Sequence, residues 1–250
     1  MDKNIGFRRN IFLPWLDATA ALCSERDNPE FIRARLDPIV GAQIASKDNR
    51  REAIDILINI WVKTREAHPE LRAAACKLFA ASTADDRIWL HYGLTVLYYS
   101  FFRFAAATIG QLSRYQDAIT TKEVKQRIFA EMGQLGALNN ATERVIFSLR
   151  NWGALVDGPR RYTYTPLRHT LATSRREVEE WLLAATLTAH PAQELPFADL
   201  PRLLELFPFH FTVTVDDLRH SPCFEVHRQG LGWDMVGLTS ATNLIAIDRS

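Results

Sequence analysis

The sequence predicts a mainly α-helical chain in three parts: an N-terminal helical bundle over 1–100, a middle region over 101–166, and a C-terminal helix with a small β-hairpin region over 167–250. Three observations carry this. Apolar residues recur at three-and-four spacing through most of the first hundred positions, as helices with one buried face require. In the middle region that period gives way, after Gly153, to the strand-like alternation of Tyr162-Thr-Tyr-Thr165. Charge is segregated along the chain. The net charge is +1, but residues 101–176 carry 12 basic against 5 acidic side chains and residues 177–250 carry 4 against 11.

In the first part, Pro14 opens a helix through Trp15, Leu16, Thr19, Ala20 and Cys23. Asn28-Pro29 opens another, asparagine as the cap and proline in the first turn, where no N–H is needed. A longer helix begins at Asp48 or Asn49 and runs through Trp61 and Val62 toward His68-Pro69, and a fourth follows from Pro69. No paired carboxylates beside a histidine and no glycine-rich phosphate loop occur here. Arg8 and Arg9 are not followed by an apolar signal core, since Pro14 and Asp17 interrupt the first apolar run.

Ile88 to Phe102 is fifteen residues without a formal charge. A membrane span needs about 20 apolar residues, and His91, Gly93 and the tyrosines suit a protein core. The stretch is expected to be a central buried helix, followed by the first helix of the middle module around Phe104–Arg114.

In the middle region, Thr120 or Thr121 caps a short helix to Met132, with Val124, Ile128, Phe129 and Met132 inward and Lys122 and Lys125 outward near Arg127. Gly133 to Leu138 is a turn, and Asn139 to Trp152 is a second helix. On a wheel of about 100° per residue, Ala141, Val145, Leu149 and Trp152 form its core face. Asn140, Arg144, Phe147 and Asn151 form the opposite stripe, flanked by Glu143 and Arg150. Asparagine can pair with adenine and arginine with guanine in a major groove, and Phe147 could touch a thymine methyl. The bland reading is a solvated polar face with Phe147 packed on a neighbour. Asp157-Gly158 is a turn signal, and Arg160 and Arg161 fall at the tip of the hairpin it makes.

Helix, turn, helix and an arginine-tipped hairpin resemble the winged helix-turn-helix superfamily. Duplex DNA is then the expected partner: Asn140, Arg144 and Asn151 approach bases, while Thr121, Lys122, Lys125, Arg150, Arg160 and Arg161 face phosphates. The counter-reading is that the acidic C-terminal third packs on the basic middle and cancels it.

Beyond Pro166, Ser174-Arg-Arg-Glu177 reads as a capping box opening a helix to about His190. Leu200–Phe207 can form a short helix. Phe209–Val215 and Cys223–His227 alternate as strands, joined over Asp216–Pro222, and a third strand fits Asp234–Leu238. His210, His220, Cys223 and His227 are metal-ligand types at a spacing that fits no strong zinc motif, so no metal and no cofactor are expected. Three scattered cysteines give no disulfide framework and point to a reducing cytoplasm.

The helical N-terminal half, the aromatic helix from Trp89 to Phe102 and the capped helix ending Leu149-Arg-Asn-Trp-Gly-Ala-Leu155 are similar to the BrxA-like accessory proteins of bacterial BREX phage-defence islands. That resemblance implies a non-enzymatic, DNA-binding role beside other defence-system proteins. The extension after Pro166 departs from the family's compact pattern. The expectation is therefore a cytoplasmic DNA-binding protein, not an enzyme, acting as a defence component or a transcription regulator, with a homodimer as a further partner state and no membrane. The alternative is a protein–protein interaction scaffold that uses the winged-helix surface.

Overall fold

The computed structural model describes residues 5–133, 136–230 and 232–239. Helices dominate it. α1 (Leu13–Glu25) carries Pro14 in its first turn, and α2 (Pro29–Gly41) is capped by Asn28, whose side chain accepts from the Phe31 N–H at 2.8 Å. α3 (Lys47–Ile58) is capped by Ser46 and opens one residue before Asp48, the earlier of the two expected starts. It continues through a π-helical turn, Asn59–Lys63, into α4 (Thr64–Ala67). The Trp61 carbonyl in that turn accepts from the buried Arg72 Nε at 2.9 Å, and the other guanidinium nitrogens hold Asp27 at 2.9 and 3.1 Å. α5 (Pro69–Ala81) and α6 (Ala84–Tyr98) complete the bundle.

The long apolar stretch is not one helix. α6 ends at Tyr98, Tyr99 is extended (φ −109, ψ 94), and α7 (Ser100–Ser113) starts afresh. The break holds Tyr99 in the core, where its hydroxyl accepts from Asn59 Nδ2 at 2.9 Å and its ring meets Phe7 edge-on. No helix among the described residues is long and apolar enough to cross a membrane.

The middle module follows as β1 (Ile119–Thr120), α8 (Thr121–Met132), α9 (Gly136–Asn151), β2 (Leu155–Asp157) and β3 (Thr163–Pro166). Its antiparallel sheet has the order β1-β3-β2. The hairpin falls where the sequence puts it, but α9 begins at Gly136, inside the expected turn over Gly133–Leu138 and three residues before the expected Asn139. The strand before α8 was not anticipated, because two residues are too few to show a period.

In the C-terminal third come α10 (Arg176–Ala189), β4 (Glu194–Pro196), 3-10 turns at Leu200–Arg202 and Leu204–Leu206, α11 (Val215–His220), β5 (Phe224–Gln229) and β6 (Trp233–Leu238). β4-β6-β5 form a second antiparallel sheet. Three expectations are corrected here. The Ser174 capping box does not form: α10 has Arg175 at its N-cap with no side-chain bond, and Arg175 instead pairs with Glu177 at 2.7 Å. Phe209–Val215 is not a strand, because Phe209 and Phe211 both pack on the Trp89 ring. Asp216–Pro222 is largely helical, because Thr214 and Asp217 form a reciprocal capping box.

Buried residues form one continuous cluster, from Phe7 to Val236. Two close approaches hold its layers. A Cβ on Gly93 would meet the Trp181 ring at 2.5 Å, and one on Gly110 would meet the Leu204 carbonyl oxygen at 1.9 Å. At the centre, fully buried His91 accepts from Trp61 Nε1 at Nδ1 (3.0 Å), while its Nε2 lies 3.0 Å from Asp17 Oδ1. The neutral Nε2–H tautomer satisfies both contacts. A second proton on Nδ1 would face the indole N–H.

Two outcomes follow. Gly110→Ala should lower stability by about 1–3 kcal/mol in chemical denaturation, because backbone on the far side cannot yield. Burial holds the His91 pKa below its ordinary 6.5, with the Asp17 contact opposing the shift. The folded chain then binds fewer protons than the unfolded chain below that pH, so this contribution is intact above about pH 6.5 and lost as pH falls. The melting temperature should drop between about pH 7 and pH 5, and His91→Gln should show a shallower drop over the same window.

Candidate nucleic-acid interface

α8 starts one residue earlier than a Thr121 cap implies. Thr120 is the cap: its hydroxyl accepts from the Glu123 N–H at 3.2 Å, and the Glu123 carboxylate accepts from the Thr120 N–H at 2.7 Å. The Thr120 hydroxyl, which donates to the Glu123 carboxylate at 2.8 Å, and the Thr120 N–H hold that carboxyl below its usual range. Thr121 is the first helical residue, and its N–H donates to the Tyr162 carbonyl at 3.1 Å. The tip of the hairpin is thereby tied to the start of α8, so Lys122, Arg160 and Arg161 share one corner. All three are exposed. Tyr162, 59% exposed, sits in the left-handed region (φ 62) with the Arg161 guanidinium 4.8 Å from its ring centre.

α9 ends as Gly153 suggests. Gly153 takes φ 78, and the N–H groups of Gly153 and Ala154 close on the carbonyls of Arg150 and Leu149. Ala141, Val145, Leu149 and Trp152 are buried, as the wheel requires.

The opposite stripe is divided. Asn140 is exposed, and so is Asn139 beside it. Farther along, the segment from Asn10 to Leu13 lies across the helix. Ile11 donates its N–H to Ser148 Oγ (3.0 Å), and its carbonyl accepts from Trp152 Nε1 (2.9 Å). Phe12 stacks edge-on against Phe147 at 5.4 Å between ring centres. Asn151 Oδ1 accepts from the Leu13 N–H at 2.9 Å, and Arg144 Nη1 donates to Asn10 Oδ1 at 3.2 Å with its Nε buried and unpartnered. Arg144 and Asn151, expected to approach bases, are each hydrogen-bonded to the N-terminal segment. Sequence reasoning missed this partner, because Phe7 and Ile11 lie among Arg8, Arg9 and Asn10 and show no period of their own.

The cations of residues 101–176 differ in their partners. Lys125 pairs with Glu143 at 2.6 Å and Arg150 pairs with Asp157, both within the module. The C-terminal third engages Arg114 through the Arg202 carbonyl (2.9 Å) and Arg176 through Asp217 (2.8 Å), and sets Glu205 beside Arg103 at 3.8 Å. Lys122, Arg127, Arg160 and Arg161 are exposed and make no ion pair among the described residues. Lys122 and Lys125, three apart, lie along one face of α8. Lys125 meets Glu143, one turn on from Asn139 and Asn140, so the face continues from the hairpin tip to the open end of α9.

No group of three or more His, Cys, Asp or Glu able to hold a metal ion occurs among the described residues. Within the His210, His220, Cys223, His227 set, Cys223 is buried, the His220 ring contacts the Asp216 carbonyl, and His227 lies 3.5 Å from Glu194. Compared with known proteins, the chain matches no protein-family model, no curated protein and no solved structure.

Two polar residues of α9 should separate in a stability assay. Ser148→Ala leaves the fully buried Ile11 N–H without a partner and should cost about 1–3 kcal/mol. Asn140→Ala should stay within about 0.5 kcal/mol, since the side chain is exposed and makes no hydrogen bond among the described residues.

Proposed function

We propose that this chain binds duplex DNA without catalysing a reaction, gripping the backbone with the hairpin tip and α8 and presenting the first half of α9 to the groove. The observation that carries this reading is the set of exposed cations, Lys122, Arg127, Arg160 and Arg161, that make no ion pair among the described residues, on a helix–strand–helix–helix–hairpin module. Phosphate contacts supply most of the affinity in such interfaces, and base contacts at the start of the second helix supply the choice of site. Asn140, with Asn139, is the residue for that second task. Lys125 and Arg150 can exchange their exposed carboxylate partners for phosphates at small cost, because such pairs are worth about 0–1 kcal/mol. A place among phage-defence proteins rests on the BrxA-like resemblance and extends this reading.

The scaffold alternative loses Phe147, which is packed on Phe12, and keeps exposed Val156 and Tyr162 on the hairpin. A pull-down repeated after nuclease treatment separates the two: a protein partner survives, and a DNA-bridged one does not.

Binding to random duplex should fall with salt at a log–log slope of about −0.9 per phosphate engaged, near −4 for the four free cations. Arg160→Glu with Arg161→Glu should weaken binding to all sequences alike and flatten that slope by about 2. A double variant that binds like the unaltered chain removes the hairpin from the interface. Asn140→Ala should change the preferred sequence while leaving the slope unaltered.

A further inference from the structure

α7, the end of α8 and the C-terminal third line a half-open cavity of about 320 Å³. One face of α7 supplies Phe101, Phe104 and Ala107; Met132, Leu203 and Leu204 complete the apolar wall. The wall is built in advance of any occupant. Gly110 admits the Leu204 carbonyl against the helix backbone, and the Tyr92 hydroxyl donates to the Glu205 carbonyl at 2.5 Å.

Two charged side chains line this apolar space. The Glu205 side chain is 6% exposed, and its nearest ionic partner is Arg103 Nη1 at 3.8 Å, beyond hydrogen-bond reach. No hydrogen bond to that carboxylate forms among the described residues. A carboxylate and a guanidinium at this separation leave an acceptor and a donor side by side on the cavity wall. His190 lines the same cavity. Its Nδ1 accepts from the Ala192 N–H at 3.1 Å, which puts the proton of the neutral ring on Nε2 as a further donor.

We propose that this cavity binds a small neutral molecule: an apolar or aromatic body carrying one amide-like head that donates to Glu205 and accepts from Arg103. The charge of the pair sets the class. A carboxylate ligand would gain Arg103 but meet Glu205, and an amine would gain Glu205 but meet Arg103. A neutral donor–acceptor head satisfies both and buries no new charge. The volume lies in the range of small-molecule sites. This inference does not depend on the DNA reading.

Calorimetric titration of the full chain with naphthamide, naphthoate and naphthylmethylamine tests it, since the three share a ring system and differ in head charge. Naphthamide should bind at least about tenfold more tightly than either charged probe. Glu205→Gln keeps the side-chain shape, leaves Arg103 unopposed and should shift the preference to naphthoate. Ala107→Phe should fill the cavity and abolish binding with helix content unchanged by circular dichroism. If that variant does not fold, the inversion in Glu205→Gln still decides the matter. Binding of none of the probes, binding of a charged probe as tightly as the amide, or an unchanged preference in Glu205→Gln would overturn the assignment, as would a folded Ala107→Phe variant that binds normally.

Discussion

Ile11 donates its backbone N–H to Ser148 and accepts at its carbonyl from Trp152, so both polar groups of a fully buried residue near the start of the chain depend on a helix that ends at Asn151. Buried backbone groups must find partners or cost about as much as a lost hydrogen bond. Here those partners lie 137 and 141 positions away, which binds the ends of the helical half together. Phe7 adds its ring to Tyr99 and Phe102 on the same path. The break between α6 and α7 serves the same contact, because it is Tyr99 in extended conformation that meets Phe7.

This constraint governs what α9 can do. A second helix of this kind normally offers its whole outer stripe, but here Arg144, Phe147 and Asn151 face the N-terminal segment. The open part is the first two turns, the part that the proposed DNA reading assigns to base edges. The ion pairs of the module differ in kind from those of the bundle. Lys125–Glu143 and Arg150–Asp157 are at least partly open to water and cheap to exchange. Arg72, 7% exposed and bonded to both Asp27 and the Trp61 carbonyl, cannot be released without stranding a buried charge. The same side-chain chemistry is structural in one half and available in the other, and burial makes the difference.

Much of the fold was legible because its signals are local. Asn28-Pro29, Pro69 and Gly153 mark helix ends through their own backbone requirements, and the wheel of α9 assigns its core face correctly. The errors share one cause, a local pattern overridden by a distant partner. Phe209–Val215 alternates like a strand, yet its aromatics pack on Trp89. Thr173 takes the Arg175 N–H and bonds Asp86, so the cap expected from Ser174 has no role. For the candidate site, the positions of the cations were legible and their availability was not. Nothing in the sequence near Arg144 or Asn151 announces that residues 10 and 13 will engage them.

The segregated charge of the sequence acquires its meaning only in three dimensions. The acidic side chains of the last third are mostly engaged at home: Glu179 accepts from the Thr212 and Val213 N–H groups, Glu180 accepts from Ser221, Asp217 caps α11, and Asp234 meets Arg219 and Arg228. Those that reach the basic region meet Arg103 and Arg176, at positions remote in sequence from the hairpin tip and α8. Charges in water are screened beyond about 8–10 Å, so net charge matters less than how the charges are placed locally. Lys122, Arg160 and Arg161, held at one corner by the Thr121–Tyr162 bond, have no carboxylate paired to them among the described residues. A near-neutral chain can in this way keep a locally positive surface, and a hairpin turn tied to a helix start is what keeps that surface in one piece.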